Sequence, residues 1–279
     1  MDLWYSEKHT EHVKLSIKVE KHLYSEETPF QRIDILDTFE FGKILVLDGV
    51  IMLTEKDEFI YHEMITHVPM AVRPDIKKVL VIGAGDGGVV HQLNQYSTIE
   101  KIDVVEIDRR VVEVCRDYFD ITKSFDDPRV TLYFEDGLKF VRTIHNEYDL
   151  IIVDSTDPFG PGEGLFTKEF YGNCYKALNE NGILINQHES PYYTDDALAM
   201  MRAHRKIATT FEVSKVYQAH IPTYPSGHWL FGFASKGIEP DQDVSAWNAL
   251  NINTRYYNTN LHRGCFQLPN YVLDMLDFK

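Results

Sequence analysis

Residues 79–90, VLVIGAGDGGVV, constrain the fold more than any other stretch of this chain. Four apolar residues run directly into a glycine cluster, and apolar residues resume behind it. This order predicts a buried strand, a tight turn and the start of a helix. Gly83, Gly85 and Gly88 match the pattern GxGxxG, whose glycines let the backbone turn sharply and approach a ligand closely at the helix N-terminus.

Two acidic residues narrow the range of ligands for this turn. Glu106 closes the next apolar segment, IDVVEID, about 20 residues downstream, where a carboxylate can accept hydrogen bonds from both hydroxyls of a ribose. Asp86 lies inside the turn, where its charge would repel a pyrophosphate and attract a cation. The pair favours a sulfonium nucleoside over NAD. The alternative is a structural turn without a ligand.

The charge balance points to the same kind of ligand. Lys and Arg number 28 against 43 Asp and Glu, which gives a formal net charge of -15. The average surface field therefore repels nucleic acid and anionic membranes and attracts cations, so we expect a basic small molecule or polycation as partner. Solubility is the other reason for such a charge, and it would suffice if the acids were merely scattered.

The cysteines and the N-terminus indicate a cytoplasmic protein. Cys115, Cys174 and Cys265 are odd in number, widely spaced and outside any CxxC pattern, so we expect buried thiols in a reducing compartment. The N-terminal residues are polar, and no later apolar run approaches the length of a membrane span.

The first quarter of the chain predicts a small antiparallel β domain. VKLSIKVE alternates apolar and polar residues and places Val13, Leu15, Ile17 and Val19 on one face of a strand. QRIDILDTF repeats that pattern, and Asp48-Gly49 separates two apolar runs as in a hairpin. From residue 58 to 72 the apolar spacing becomes helical, and Pro74 ends it. We predict an N-terminal domain of residues 1–56 and a larger domain of residues 57–279.

The larger domain predicts an α/β fold with a mostly parallel, Rossmann-like sheet. Strand-like and helix-like segments alternate from residue 79 to 154, which is typical of a sheet with helices on both faces. Ligands of such sheets bind beyond the carboxyl ends of the strands. Acidic residues occupy these ends: Asp86, Glu106, Asp136, Asp154 and Asp157. A single acid there is usually a helix N-cap, but five on one rim require a compensating cation, which would be the ligand.

The segment DSTDPFGPGEGLFT predicts a loop that gates the site. Asp154 and Asp157 flank a turn closed by Pro158, and the following glycines and prolines cannot continue a helix. Two carboxylates on one turn can share an amine, with one accepting a proton while the other holds the charge. An ordinary surface loop is the alternative. No metal site is expected, because His62 and His67 are five residues apart and do not fit HExxH.

Several motifs together resemble the polyamine aminopropyltransferases, and most closely their bacterial spermidine synthases. They are YHEM from residue 61, GAGDGG from 83, VEID from 105, EDG from 135, DSTDPFGP from 154, LFTKEFY from 165 and PTYPSG from 222. The resemblance covers nearly the whole chain. It implies an N-terminal β domain, a catalytic domain of the S-adenosylmethionine-dependent methyltransferase type, assembly as homodimer or homotetramer, and decarboxylated S-adenosylmethionine as co-substrate, without a tightly bound cofactor.

The resemblance also implies roles for individual residues. The nucleoside contacts fall on Gln31, Glu106, Asp136, Gly137 and Pro161, with Asp86 holding the aminopropyl ammonium. The amine contacts fall on Tyr61, His62, Asp154, Ser155, Thr156, Asp157, Gln187 and Tyr224. Asp154 would accept the proton, while Tyr61 and Asp157 would orient the amine. Ala84 stands where many members have a third glycine, and QHESP after Gln187 also departs from the family pattern, which bears on the length or branching of the amine.

The implied reaction is a direct displacement at carbon. An alkylammonium with a pKa of about 10.4 must lose a proton before it attacks, whereas a sulfonium leaving group needs no acid. The products would be a longer polyamine and 5'-methylthioadenosine. The expected acceptor is putrescine, which would give spermidine. Agmatine, cadaverine and spermidine are alternative acceptors, since the length of the pocket cannot be read from the sequence. A methyltransferase that uses intact S-adenosylmethionine is the second enzymatic hypothesis, and a polyamine-binding protein is a third.

Overall fold

The protein is described by a computed structural model that covers residues 2–155 and 160–276. The described residues form two β-sheets with helices around the second one. None of their helices is long and apolar enough to cross a membrane.

The N-terminal sheet contains five antiparallel strands in sequence order. They are β1 (Leu3–Lys8), β2 (Lys14–Glu27), β3 (Arg32–Thr38), β4 (Gly42–Leu47) and β5 (Val50–Thr54). The predicted hairpin is confirmed: Asp48 and Gly49, both at positive φ, connect β4 to β5 as an Asp-Gly turn does. The predicted strand face is wrong at Val13, which precedes β2 and is exposed, whereas Ile17 and Val19 are buried.

The second sheet has seven strands in the order β11-β12-β10-β9-β6-β7-β8. Their bounds are β6 (Lys78–Gly83), β7 (Lys101–Val105), β8 (Val130–Tyr133), β9 (Tyr148–Asp154), β10 (Leu178–Gln187), β11 (Val213–His220) and β12 (His228–Ser235). The five neighbouring strands β8, β7, β6, β9 and β10 pair in parallel, while β12 is antiparallel to both of its neighbours. The prediction of a mostly parallel, Rossmann-like sheet is therefore confirmed.

Helices cover both faces of this sheet. They are α1 (Glu58–Val72), α2 (Gly88–Leu93), α3 (Arg109–Tyr118), α4 (Gly137–Arg142), α5 (Lys168–Ala177), α6 (Thr194–Ala208), α7 (Thr259–Cys265) and α8 (Asn270–Leu276). Val79 and Val81 of β6 pack in one core with α1 and α2, while Leu80 and Ile82 pack in another with α5. Because side chains alternate along a strand, the continuous apolar run of β6 feeds both cores.

A third core joins the N-terminal sheet to α3. Val111, Val114 and Cys115 of α3 pack against Ile35 and Leu45 of the N-terminal sheet. The division at residues 56 and 57 falls between β5 and α1, and it stays a prediction. The thiols of Cys115, Cys174 and Cys265 are buried and free.

Candidate active site

A pocket lies at the carboxyl ends of the parallel strands, where the sequence predicts it. Residues from five neighbouring strand ends line it in the order of the strands: Asp136 after β8, Glu106 after β7, Asp86 after β6, Asp154 at the end of β9 and Gln187 at the end of β10. Neighbouring strands are about 4.8 Å apart, so the row is roughly 19 Å long. We call these five residues the acidic row, although Gln187 at one end is an amide. The row is long enough for an elongated ligand or for two ligands end to end.

The glycine loop follows β6 and lies under the middle of the row. Gly83 has φ +89°, and a Cβ there would lie 2.0 Å from the backbone oxygen of Asp154. Only glycine therefore allows the ends of β6 and β9 to lie this close together. Ala84 has φ +64°, and its N–H donates to that same oxygen at 3.1 Å. The departure at Ala84 thus keeps the left-handed turn, at a cost of about 1 kcal/mol relative to glycine.

Gly88 opens α2 and makes room for His62. A Cβ at Gly88 would lie 2.1 Å from Cε1 of the His62 ring, so the imidazole packs directly on the backbone of the loop. The Gly88 N–H donates to Oδ1 of Asp86 at 2.7 Å. His62 Nε2 lies 3.5 Å from that same oxygen, and His62 Nδ1 lies 2.6 Å from Oε2 of Glu58.

These neighbours set the charges of His62 and Asp86. Burial by itself lowers the pKa of His62, but the carboxylates of Asp86 and Glu58 outweigh it and raise that pKa well above its usual value. Burial raises the pKa of Asp86, but the charge of His62 outweighs it, and that pKa is lowered. At neutral pH an imidazolium on α1 is therefore paired with a carboxylate of the glycine loop.

Asp154 lies next to this pair and differs from it. Burial and the charge of Asp86 raise the pKa of Asp154 to about 6. The hydroxyl of Tyr61 donates to Oδ1 of Asp154 at 2.6 Å, and burial together with the Asp154 charge raises the Tyr61 pKa well above its usual value. The Tyr61 hydroxyl therefore keeps its proton and remains a hydrogen-bond donor. Asp154 is a stronger base than an exposed carboxylate, which has a pKa of about 3.9.

The end of the row near β7 and β8 carries the predicted nucleoside residues. Burial raises the pKa of Glu106 to about 7, and its Oε1 accepts from the N–H of Asp108 at 2.9 Å. Gln31 donates to Asp108 at 3.2 Å, so the N-terminal sheet closes this end. Asp136 caps α4 by accepting from the N–H of Leu138 at 2.9 Å. The N-cap reading of Asp136 is thus correct, yet the residue also lines the pocket beside Gly137.

The opposite end of the pocket contains residues that the sequence analysis missed. Gln187 donates to Oε1 of Glu189 at 2.8 Å, and both lie at the end of β10 together with Asp196 of α6 and Trp229 of β12. Tyr224 lines this end and donates to the backbone oxygen of Met52 at 2.7 Å. The departure QHESP was the available signal for Glu189. Nothing in the sequence pattern pointed to Asp196.

The remaining predicted residues fall into three cases. Ser155 is described and lines the pocket. Thr156 and Asp157, with the turn that they share with Pro158, lie outside the described residues. Pro161 belongs to the short helix Gly160–Phe166, of which only the backbone is described at that position. The gate therefore stays a prediction.

One group of side chains has the spacing of metal ligands. One ligand atom each of His62, Asp86 and Asp154 lies within 4.8 Å of the others. Both nitrogens of His62 face carboxylates, however, and a doubly protonated ring does not ligate a metal. The imidazolium already supplies a positive charge between the acids. The expectation that the chain uses no metal stays a prediction.

Two family models match the chain. The spermidine synthase tetramerisation domain matches residues 3–55, and the spermine/spermidine synthase domain matches residues 58–244.

Individual proteins match it over nearly its full length. The chain is 68% identical to a polyamine aminopropyltransferase of Clostridium beijerinckii and 66% identical to that of Alkaliphilus oremlandii, with 99% of each chain covered. A crystal structure of spermidine synthase in complex with the transition state analogue AdoDATO is 44% identical, with a TM-score of 0.95 over 98% of this chain and 94% of that one. Spermidine synthase from Thermotoga maritima is 41% identical, with a TM-score of 0.93 over 99% and 95%.

Proposed function

Because the chain belongs to the spermine/spermidine synthase family of polyamine aminopropyltransferases, we propose that it transfers the aminopropyl group of decarboxylated S-adenosylmethionine to putrescine. The products are spermidine and 5'-methylthioadenosine. The observation that carries this proposal is the acidic row, which combines a carboxylate suited to a ribose, an acidic glycine loop and a partly buried base along one pocket. No tightly bound cofactor takes part.

The order of the row supports an assignment of its two ends. The nucleoside lies at the end formed by Gln31, Glu106, Asp136 and Gly137, and it also contacts Pro161. The two ribose hydroxyls donate to Glu106, and the adenine amine donates to Asp136. The aminopropyl ammonium lies against Asp86, one strand spacing from Glu106, as expected for a chain that extends from the ribose across the sheet.

The acceptor amine lies over β9 and β10. It approaches the aminopropyl carbon that is bonded to sulfur from the side opposite the nucleoside. Its contacts are Tyr61, His62, Asp154, Ser155, Gln187 and Tyr224, together with Thr156 and Asp157 outside the described residues. Asp154 takes the proton from the attacking ammonium. The nitrogen lone pair then forms the new bond to the aminopropyl carbon, and the carbon–sulfur electrons leave with the thioether. Asp157 and the Tyr61 hydroxyl orient the amine.

The distal end of the pocket supports a diamine. Glu189 and Asp196 add carboxylates beyond Gln187, where the second ammonium of a putrescine-sized chain can be neutralised. Cadaverine, agmatine and spermidine also carry a second cation, and they are the alternative acceptors. A methyltransferase is the weaker alternative, because intact S-adenosylmethionine would bring its own carboxylate against Asp86.

Assembly and organisation complete the proposal. We propose a homodimer or homotetramer, supported by the tetramerisation-domain match and by the exposure of Leu3 and Trp4 on the edge strand β1. Residues 1–56 form the N-terminal domain and residues 57–279 the catalytic domain. The free, buried cysteines fit a cytoplasmic enzyme.

The test is incubation of the full chain with decarboxylated S-adenosylmethionine and each amine in turn, with products read by mass spectrometry. Spermidine and 5'-methylthioadenosine are expected from putrescine, and the other amines should react more slowly. A methylated amine formed from intact S-adenosylmethionine would instead support the alternative. Absence of any new amine from all four acceptors would overturn the proposal.

A further inference from the structure

Glu58 does not line the pocket but is linked to it through His62. Glu58 is the first residue of α1, and His62 follows one helical turn later. Oε2 of Glu58 lies 2.6 Å from Nδ1 of His62. The side chain of Glu58 is only 15% exposed and that of His62 only 3%. A hydrogen bond between nearly buried charged groups is stronger than one at the surface.

The geometry fixes the protonation of the His62 ring. Its Nδ1 faces the Glu58 carboxylate, and its Nε2 faces Oδ1 of Asp86 at 3.5 Å. A neutral imidazole would point a lone pair at one of these two carboxylates, so both ring nitrogens carry hydrogens. The ring also packs on the backbone at Gly88 and makes a T-shaped contact with the ring of Tyr61, which leaves it little room to turn.

We propose that Glu58 is a positioning residue for the donor's ammonium group: it holds the His62 ring as an imidazolium that keeps the Asp86 carboxylate in place. This inference rests on the proposed function, which sets the aminopropyl ammonium against Asp86. Glu58 is not among the described residues that line the pocket. Its effect on the ligand is therefore exerted through His62 and Asp86.

Replacing Glu58 by glutamine weakens the donor site in either protonation state of His62. If the ring keeps both protons, the neutral amide no longer balances the imidazolium, and the uncompensated positive charge repels the incoming ammonium. If the ring loses a proton, it donates to the oxygen of the new amide and turns a lone pair toward Asp86, which then moves away from its position. The adenosine part contacts Glu106 and Asp136 at the other end of the row, so its binding is unaffected.

Two ligands that share the adenosine part but differ at the sulfur separate these effects. Decarboxylated S-adenosylmethionine carries the group, and 5'-methylthioadenosine lacks both it and the sulfonium charge. Calorimetric titration of both into the parent and into Glu58→Gln should show the donor weakened by roughly tenfold, since hydrogen bonds to charged groups contribute that much, with 5'-methylthioadenosine within about twofold. Glu55→Gln is the matched control, because Glu55 is exposed and pairs with Lys43. It should leave both affinities unchanged.

The other outcomes are equally decisive. Equal weakening of both ligands by Glu58→Gln would mean that Glu58 merely supports the loop, and unchanged donor affinity would mean that it has no role in positioning. Either result overturns the inference. Glu58→Asp keeps the charge but cannot span the distance to His62, so it should weaken the donor selectively and serves if the glutamine variant does not fold. A parent protein that binds neither ligand would instead refute the proposed function itself.

Discussion

Asp86 and Asp154 show how neighbours separate two similar carboxylates. Both are partly buried at the same edge of the sheet, yet the pKa of Asp86 is lowered because His62 is beside it. The pKa of Asp154 is raised to about 6 by burial and by the Asp86 charge. The first remains an anion for binding a cation, while the second can take up a proton, which is the division of roles that aminopropyl transfer requires.

Asp154→Asn keeps the shape of the side chain and removes the base. General bases contribute about 100-fold to 10,000-fold, so turnover should fall within that range. The donor should still bind, because Asp86 and Glu106 are intact. Steady-state rates and a binding titration of the same preparation check this. A variant within about threefold of the parent turnover number would exclude Asp154 as the proton acceptor.

Asp86→Asn tests how the protein selects its donor. Intact S-adenosylmethionine adds a carboxylate beside the ammonium, and two like charges about 4 Å apart at an effective dielectric of about 20 interact by roughly 4 kcal/mol. Even half of that favours the decarboxylated donor by well over tenfold. The variant should bind the decarboxylated donor more weakly and narrow its advantage over the intact one. Calorimetry with both nucleosides measures the ratio, and an unchanged ratio would assign Asp86 to the loop structure alone.

His62 carries the expectation about metals. Its imidazolium supplies the positive charge that a metal would otherwise bring to Asp86 and Asp154. Prolonged treatment with a strong chelator should therefore leave the rate unchanged, with the untreated enzyme as control. Loss of activity that zinc restores would contradict this prediction.

At the scale of elements, α1 organises the end of the pocket that is proposed to bind the amine. Tyr61 and His62 lie on α1, and Asp57 precedes it as the N-cap residue. Oδ2 of Asp57 accepts from the N–H and the hydroxyl of Thr223, at 3.2 and 2.8 Å. The loop that presents Tyr224 is thereby fastened to the start of the same helix that presents Tyr61.

Asp57→Ala should loosen this loop. The polar groups of Thr223 that Asp57 binds would lose their partner in a buried position, which costs about 1 to 3 kcal/mol of stability. Because Tyr224 is held at the amine end, the KM for the amine should rise severalfold while the KM for the donor changes little. Two-substrate kinetics separate these constants. A larger rise for the donor would show that Asp57 supports the whole site.

Elements with a one-sided apolar pattern were predictable from the sequence, and the others were not. The helix at residues 58–72 was predicted at its observed bounds because its apolar spacing is unbroken up to Pro74. Strand β1 was missed because its one buried side chain is that of Glu7, which accepts from the N–H of Ile51 at 2.7 Å. A charged residue in the buried position hides the alternation.

The same distinction holds within the site. Consecutive parallel strands end at one edge, so the convergence of Asp86, Glu106, Asp136 and Asp154 followed from the order of the segments. Glu189 reaches the pocket by a left-handed turn at φ +72° after β10, and Asp196 by the first turn of α6. Neither path is encoded in a periodic pattern, so the distal end of the pocket required the structure.

At the scale of the whole molecule, the excess of acidic residues makes donor binding depend on pH. The net charge of -15 draws cations to the protein, but the acids of the row bind them only when ionised. Burial raises the pKa of Asp154 to about 6 and that of Glu106 to about 7. Below these values both are largely protonated. A donor that carries an ammonium and a sulfonium must then displace the protons.

Donor affinity should therefore rise as pH increases from 5 to 7.5, by up to about tenfold per pH unit for each carboxyl that has to lose its proton. 5'-Methylthioadenosine is neutral and lies near Glu106 alone, so its affinity should depend on pH less steeply. Titration calorimetry across this range gives both slopes, and buffers of different ionisation enthalpy count the released protons. Asp154→Asn removes one titrating group, so the dependence of donor affinity on pH should become less steep and approach that of 5'-methylthioadenosine. If the parent bound the donor equally well at pH 5 and 7.5, ionisation of the row could not be what binds the cation, and the acids would have to be held as anions by groups other than the ligand.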